Sequence, residues 1–170
     1  MRRSPVRSAS GGGGSSSYAM AHVWKTDPSV IEITTITTNN TWYQLTVDPD
    51  VIDAALLVGI TYLGNGVFKN ISGAAISRKL FFAGACSGSG GTAAITTFKL
   101  GYGKYNGANY VFETGIESAT FDVSIIEELA NIQNIVLPVK TIARDEQFCF
   151  MATRTAGTRN LHISSMVAGF

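Results

Sequence analysis

Apolar and polar residues alternate with a period of two along much of this chain, the pattern of β-strands that turn one face toward a core. The closing stretch shows it best. Phe148 and Phe150 point to one face, Cys149 points to the other, and Leu161 and Ile163 resume the alternation after a small-residue turn. Similar β-branched and aromatic runs recur through the body. They predict about nine or ten short strands, at the spacing of a β-sandwich.

Turn-forming residues separate these runs. Asn39-Asn40, Gly64-Asn65-Gly66 and Asn106-Gly107 favour tight turns, because Asn and Gly tolerate positive φ. The Gly-rich stretch at residues 86–92 predicts a mobile connection between two strands. Pro138 has no backbone N–H to donate, so its strand is predicted to lie at a sheet edge or to contain a bulge.

One segment has a helical period instead. Its apolar residues recur at helical intervals, and Ser124 and Glu127 stand at the spacing of a capping box. A single short helix is therefore predicted over Ile125–Gln133, between two strands.

Composition agrees with a folded β-domain. The 170 residues are 45% apolar and 15% charged and include 18 glycines, which indicates a folded chain with many turns rather than a disordered one. The predicted fold is all-β: a jelly-roll-like antiparallel β-sandwich with one short helix, over residues 29–170. An extended N-terminal arm, residues 1–28, is predicted to precede it.

The predicted arm is basic at its tip and aromatic further on. Residues 1–17 have the Gly, Ser and Arg content of a flexible linker, either a natural arm or a remnant of an expression tag, and the arginines favour the natural arm. The arm residues expected to contact a partner are Arg2, Arg3, Arg7, Tyr18, Met20 and Trp24.

Charge argues against a nucleic-acid partner. The net charge is +1, and three basic residues in the arm can neutralise about three phosphates, which makes only a weak, salt-sensitive contact. Binding to nucleic acid is therefore not expected.

Catalytic constellations are missing from the sequence. The two histidines, His22 and His162, have no neighbouring cluster of metal ligands, and His162 alternates with apolar residues as a solvent-facing strand residue does. No Gly-x-Ser-x-Gly elbow is present. Cys86 and Cys149 lack metal-binding spacing; two free thiols in a reducing compartment are the favoured interpretation, and a single disulfide is the alternative. The chain is predicted to be no enzyme and to need no cofactor or metal.

Three tyrosines around the Asn106-Gly107 turn form the one candidate ligand site: Tyr102, Tyr105 and Tyr110. Exposed aromatic rings bind glycans in many β-sandwich modules. Cross-strand packing is the competing explanation for tyrosines in a hairpin.

Localisation follows from two absences. The sequence has no run of about 18 apolar residues that would span a membrane, so no membrane partner is expected. Gly and Ser follow the basic N-terminus where a signal peptide needs an apolar stretch. The chain is therefore expected to be made without a signal peptide and either kept in a cytoplasm or carried out by an assembly.

The closing segment "IVLPVKTIARDEQFCFMATRTAGTRNLHIS", residues 135–164, resembles the last strands of small jelly-roll virion proteins of tailed bacteriophages, of the capsid cement, decoration or tail-attachment type. "NTWYQLTV", residues 40–47, is similar to an entry strand of such domains. The resemblance implies a virion structural protein that forms homo-oligomers, with a trimer favoured, and binds capsid or other virion subunits.

Three functions are thus weighed. The leading hypothesis is a capsid cement or decoration protein that oligomerises and stabilises the shell. The alternative is a carbohydrate-binding or host-attachment module of a phage tail, acting through the three tyrosines. A second alternative is a shell-forming capsid protein whose basic arm faces the genome.

Overall fold

The computed structural model describes residues 20–24, 32–46, 51–52, 59–124 and 131–169. Within these ranges the chain forms thirteen β-strands, and none of the described residues is helical. The strands are β1 (Met20–Trp24), β2 (Glu32–Thr34), β3 (Tyr43–Gln44), β4 (Val51–Ile52), β5 (Ile60–Gly64), β6 (Val67–Asn70), β7 (Ile76–Ser89), β8 (Ile95–Tyr105), β9 (Tyr110–Glu117), β10 (Phe121–Ser124), β11 (Asn131–Ile142), β12 (Gln147–Ala156) and β13 (Asn160–Gly169).

These strands form two antiparallel sheets. The six-stranded sheet of the described residues has the order β11-β7-β13-β1-β4, and β2 also pairs with β13. The seven-stranded sheet has the order β10-β8-β12-β6-β5, with β3 paired to β12 and β9 to β8. Most neighbours are distant in sequence, as long crossing connections in a jelly roll require. The predicted all-β, jelly-roll-like antiparallel sandwich is confirmed.

The core lies between the two sheets. Leu80 and Phe82 of β7 project inward from one sheet, and Leu100 and Phe150 project inward from the other. The rings of Phe82 and Phe150 meet edge-on across the two sheets at 6.2 Å between centroids. Each such side chain contributes about 1.5–3 kcal/mol by leaving water, so the alternation seen in the sequence is what holds the sheets together.

Several local predictions are confirmed. Asn40 has φ 59°, and Asn65 and Gly66 close the β5–β6 hairpin with φ values of 51° and 74°. β11 forms one end of the six-stranded sheet, and its register shifts between Val136 and Val139, on either side of Pro138. The proline thus occupies both of the predicted settings, an outer strand and a bulge.

The helix prediction is wrong where the structure tests it. Residues 131–133 belong to β11 and pair with residues 84–86 of β7, while residues 125–130 lie outside the described residues. An apolar pattern at helical spacing is only a weak preference, and a long partner strand overrides it by supplying ladder hydrogen bonds.

The Gly-rich stretch also differs from its prediction. β7 continues through Ser89, and its last four residues pair with β13 instead of forming a loop. At Gly88 a Cβ would lie 2.7 Å from Cδ of Arg159, so this glycine provides room for the arginine rather than flexibility.

The segment around Met20 and Trp24 is extended and belongs to the six-stranded sheet. All five residues of β1 pair with β13, and two of them pair with β4. The division into an arm (residues 1–28) and a sandwich (residues 29–170) stays a prediction. Four of the predicted contact residues lie outside the described residues: Arg2, Arg3, Arg7 and Tyr18.

Candidate functional site

The outward side of the six-stranded sheet carries an exposed apolar patch. Phe81 alternates with the buried Leu80 and Phe82, so its ring points away from the core, and Val136 lies directly opposite it on β11. Val136 is 60% exposed, and Val139 further along β11 is 56% exposed. We call Phe81, Ala83, Val136 and Val139 the apolar face.

A cavity of about 500 Å³ adjoins this face. Apolar and basic groups share its lining: Ser77, Arg78, Lys79, Phe81, Phe82, Ala83, Asn134, Ile135 and Val136. Contiguous exposed apolar surface of this kind marks contact sites more often than the scattered hydrophobic residues of an ordinary surface do.

Strand addition is not how a partner would use this surface. Pro138 removes a ladder donor from β11, and the bulge beside it interrupts the row of backbone groups. A partner would therefore meet the apolar face through side chains.

The outward side of the seven-stranded sheet is covered by the chain's own aromatic residues. Trp42 and Phe112 stack at 3.9 Å between ring centroids, inclined by 11°. They lie over Gly101 of β8, where a Cβ would come within 2.7 Å of Phe112 and 2.8 Å of Trp42. Met151 fills the equivalent space over Gly103. Two outward glycines thus allow a second apolar layer on this sheet.

Both cysteines are free and buried, which confirms free thiols but leaves their compartment a prediction. Burial raises the pKa of Cys86 and that of Cys149 to about 12. The thiolate is the reactive form, so neither thiol is a nucleophile near neutral pH.

Tyr102 lies in the core rather than on the surface, so it does not offer its ring to a glycan. It is 1% exposed, and its hydroxyl donates to Oε1 of Glu146 at 2.7 Å. The backbone N–H of Ala143 and Nζ of Lys104 donate to Oε2 of Glu146, at 3.1 Å and 3.2 Å. The tyrosine was predicted from its place near a turn, but it continues the inward-facing series of Phe98 and Leu100 on β8.

This arrangement changes two pKa values. Burial, then the hydrogen bond to Glu146, raises the pKa of Tyr102. For Glu146 burial alone would raise the pKa, but the hydrogen bonds from Tyr102, Ala143 and Lys104 outweigh it and lower the pKa. The Glu146 carboxylate is therefore ionised at neutral pH, and its oxygens are occupied by hydrogen bonds from groups of this chain.

Tyr105 and Tyr110 do lie at the hairpin surface. Their rings are cross-strand neighbours, 5.2 Å apart between centroids, and Tyr105 is 37% exposed. Their predicted role in glycan binding stays a prediction.

His162 is buried, and its prediction as a solvent-facing residue is wrong. It is 7% exposed, and its Nδ1 lies 2.8 Å from Oγ of Ser87 on the neighbouring strand. The alternation correctly placed the His162 side chain on the other face of β13 from Leu161 and Ile163. Both faces of β13 are buried at this point, however, so that face is not exposed to solvent.

Clusters of metal ligands and membrane-spanning helices are both absent from the described residues. Within the described ranges, no three His, Cys, Asp or Glu side chains come together as metal ligands would. In the same part of the chain, no helix has the length and hydrophobicity that crossing a membrane requires.

Comparisons with known proteins place the fold in a class. No family model and no curated protein sequence matches the chain. Among solved structures, Eiger TNF from S. frugiperda matches with a TM-score of 0.50 and 10% identity, over 89% of this chain and 90% of that one. The structure of murine APRIL at pH 5.0 matches with a TM-score of 0.45 and 7% identity, over 89% and 97%.

The chain thus has the fold of TNF-like jelly-roll β-sandwiches. At 10% identity the likeness to Eiger TNF concerns the fold alone. The similarity to murine APRIL, with its lower TM-score of 0.45, is not used as evidence for the fold. Neither structure is of a phage protein, so a relationship to virion proteins of tailed bacteriophages stays a prediction.

Sequence reasoning missed the apolar face. Val136 and Val139 stand on either side of a proline, and no local pattern tells which of two apolar strand faces lies inward. The available signal was the continuous apolar run around Pro138. Such a run indicates a strand with apolar residues on both faces, so that a second surface must cover the outward face if it is to be buried.

Proposed function

We propose that this chain is a non-enzymatic contact protein that associates with further copies of itself through the apolar face. The observation that carries the proposal is the exposure of Val136 and Val139 on a face that also presents the Phe81 ring. Burying an apolar side chain contributes about 0.8 kcal/mol of favourable free energy per CH₂ group. Association that covers these side chains would gain this free energy.

A second copy is the occupant that the charges favour. With 13 basic and 12 acidic residues, copies of the chain have almost no net charge to keep them apart. The apolar face also suits association about a three-fold axis, where Phe81 and Val136 of each copy would meet the same residues of the other two.

A trimer is the proposed assembly, and a virion is its proposed setting. There the trimer would act as a cement or decoration protein, with capsid subunits as its partners and with Arg2, Arg3 and Arg7 in the contacting arm. The resemblance of residues 135–164 to small virion proteins supports this finer proposal, and a jelly-roll fold is compatible with it.

The first experiment measures molar mass by light scattering across a range of concentrations. Val136→Glu and Val139→Glu place a charge on the apolar face, and each is expected to weaken association at least about tenfold. Leu63→Glu is the matched control, because Leu63 is 49% exposed and belongs to the seven-stranded sheet. A wild-type monomer at all concentrations, or equal effects of the control and the test variants, would contradict the proposal.

Deleting residues 1–17 tests the arm separately, since it leaves β1 in place. If the arm serves only capsid contact, the truncated protein keeps its oligomer mass but is lost from particles purified from the producing host, as measured by mass spectrometry. Equal incorporation with and without the arm would overturn the arm's role. Absence of the full chain from such particles would overturn the virion setting.

A further inference from the structure

The hairpin between β8 and β9 ends in a rigid tip. Oδ1 of Asn106 accepts hydrogen bonds from the backbone N–H groups of Ala108 and Asn109, at 3.0 Å and 2.9 Å. The Tyr105 hydroxyl donates to the carbonyl of Gly107 at 3.0 Å, which fixes the ring. A half-exposed aromatic ring is therefore held in place before any ligand arrives, so that binding to it orders little additional structure.

Tyr105 lines two cavities. The larger, about 280 Å³, is lined mostly by polar residues: Lys104, Tyr105, Ala143, Arg144, Asp145, Glu146 and Gln147. The smaller, about 220 Å³, is lined by Lys104, Tyr105, Asn106, Val111, Phe112 and Glu113. Cross-strand packing explains why Tyr105 meets Tyr110, but packing does not require two open cavities lined by the same tyrosine.

The ion pairs beside the larger cavity contain one more cation than carboxylates, because they include Lys69, which lies outside the cavity lining. Glu146 already pairs with Lys104, and Asp145 already pairs with Lys69 at 3.5 Å and with Nε of Arg144 at 3.2 Å. Three cations thus meet two carboxylates. The Arg144 side chain is 69% exposed, and its guanidinium has further N–H donors beyond the one used by Asp145.

We infer that the tip binds a saccharide that carries a carboxylate, such as a uronic acid oligomer, with Tyr105 between two successive sugar units. The apolar C–H side of a sugar ring packs on the tyrosine ring, and amide groups of Asn106 and Gln147 can pair with hydroxyl groups. The carboxylate would be received by Arg144, for which a forked pair of hydrogen bonds is the preferred geometry.

This site is independent of the proposed self-association. It is built on β8, β9 and the turn between β11 and β12, whereas the apolar face is on the outward side of β7 and β11. Molar mass and ligand binding are measured separately, so one proposal can fail while the other holds.

The test is an NMR titration of ¹⁵N-labelled full-length protein with α-1,4-linked digalacturonate. The matched neutral probe is α-1,4-linked galactobiose, which differs only in its lack of carboxylates. Digalacturonate is expected to shift the amide signals of Tyr105, Asn106 and Arg144, and to bind about tenfold more tightly than galactobiose. Equal binding of the two sugars would overturn the acidic ligand class, and no shifts with either would overturn the site.

Variants separate the ring from the charge. Tyr105→Ala is expected to weaken digalacturonate binding about tenfold, while Tyr105→Phe keeps the ring and loses only the hydrogen bond that holds it, so a smaller loss is expected. Arg144→Gln is expected to remove the preference for digalacturonate over galactobiose. Leu63→Ala is the control for an exposed apolar residue that lines neither cavity. Wild-type affinity in Tyr105→Ala with an unchanged amide spectrum elsewhere would contradict the inference.

Discussion

Two outward regions of this sandwich treat apolar residues in opposite ways: the surface around Gly101 on the seven-stranded sheet and the apolar face on the six-stranded sheet. On the seven-stranded sheet, Trp42 and Phe112 cover Gly101, and the outward-pointing Met151 of β12 is buried. On the six-stranded sheet, Val136 and Val139 stand in solvent.

The difference comes from the residues at outward positions. Gly101 and Gly103 have no side chains, so rings and a thioether pack directly on the backbone of β8 and complete a layer within the chain. Phe81 and Val136 instead project from their strands, and a projecting apolar group is buried only when something outside the sheet comes to meet it. The first face contributes to the stability of the subunit, and the second is available for contact.

The largest expected effect concerns the aromatic cover. Trp42→Ala removes half of the stack and uncovers Gly101, and we expect it to lower the free energy of unfolding by about 2–4 kcal/mol. Val136→Ala on the apolar face should change it by less than about 0.5 kcal/mol when copies are dissociated. Chemical denaturation at low protein concentration measures both. Equal losses would mean that the two faces do not differ in the way described.

A smaller effect is expected from filling the space over β8. Gly101→Ala forces a Cβ against two rings and should destabilise the fold by about 2 kcal/mol, while Gly103→Ala meets the flexible Met151 side chain and should cost about 1 kcal/mol. Adding Trp42→Ala should reduce the cost of Gly101→Ala, because the two positions touch. Additive effects in the double variant would argue against direct packing.

The smallest effect concerns the pH dependence of stability that Glu146, in the turn before β12, contributes through its hydrogen bond with Tyr102. The pKa of Glu146 is lowered in the folded state from its ordinary value of 4.5, so its contribution is full above about pH 4.5 and is lost as the pH falls further. Acid should therefore lower the free energy of unfolding, and Glu146→Gln should reduce it by about 1–2 kcal/mol at pH 7 and flatten its acid dependence. Denaturant titrations between pH 7 and pH 3 measure this. An unchanged slope in the variant would show that other carboxylates control acid stability.

Much of the fold could be predicted from local signals. The alternation at Phe148 and Phe150, the turn at Asn65 and the bulge at Pro138 each depend on neighbouring residues, whose sterics act in any context. The helix over Ile125–Gln133 failed at residues 131–133 because the partner strand there is about fifty residues away, and no local pattern contains that information.

The candidate sites were predicted less well. Tyr105 and Tyr110 were found from their place beside a turn, but Tyr102, three residues from Tyr105, proved to be buried. The apolar face and the charged groups at Arg144 were not found, since they depend on which sides of β8 and β11 face solvent and on a turn brought beside the hairpin by folding.

The sequence by itself determined that the chain is a β-sandwich with tight turns, because period-two hydrophobicity and residues tolerant of positive φ act locally. Only the tertiary structure decided which apolar positions are covered. Two strands with equally apolar faces have different fates when one is met by Trp42 and Phe112 and the other, at Val136, is not. Burial is a property of what packs against a residue, and in the described part of the chain most contacts join residues that are distant in sequence.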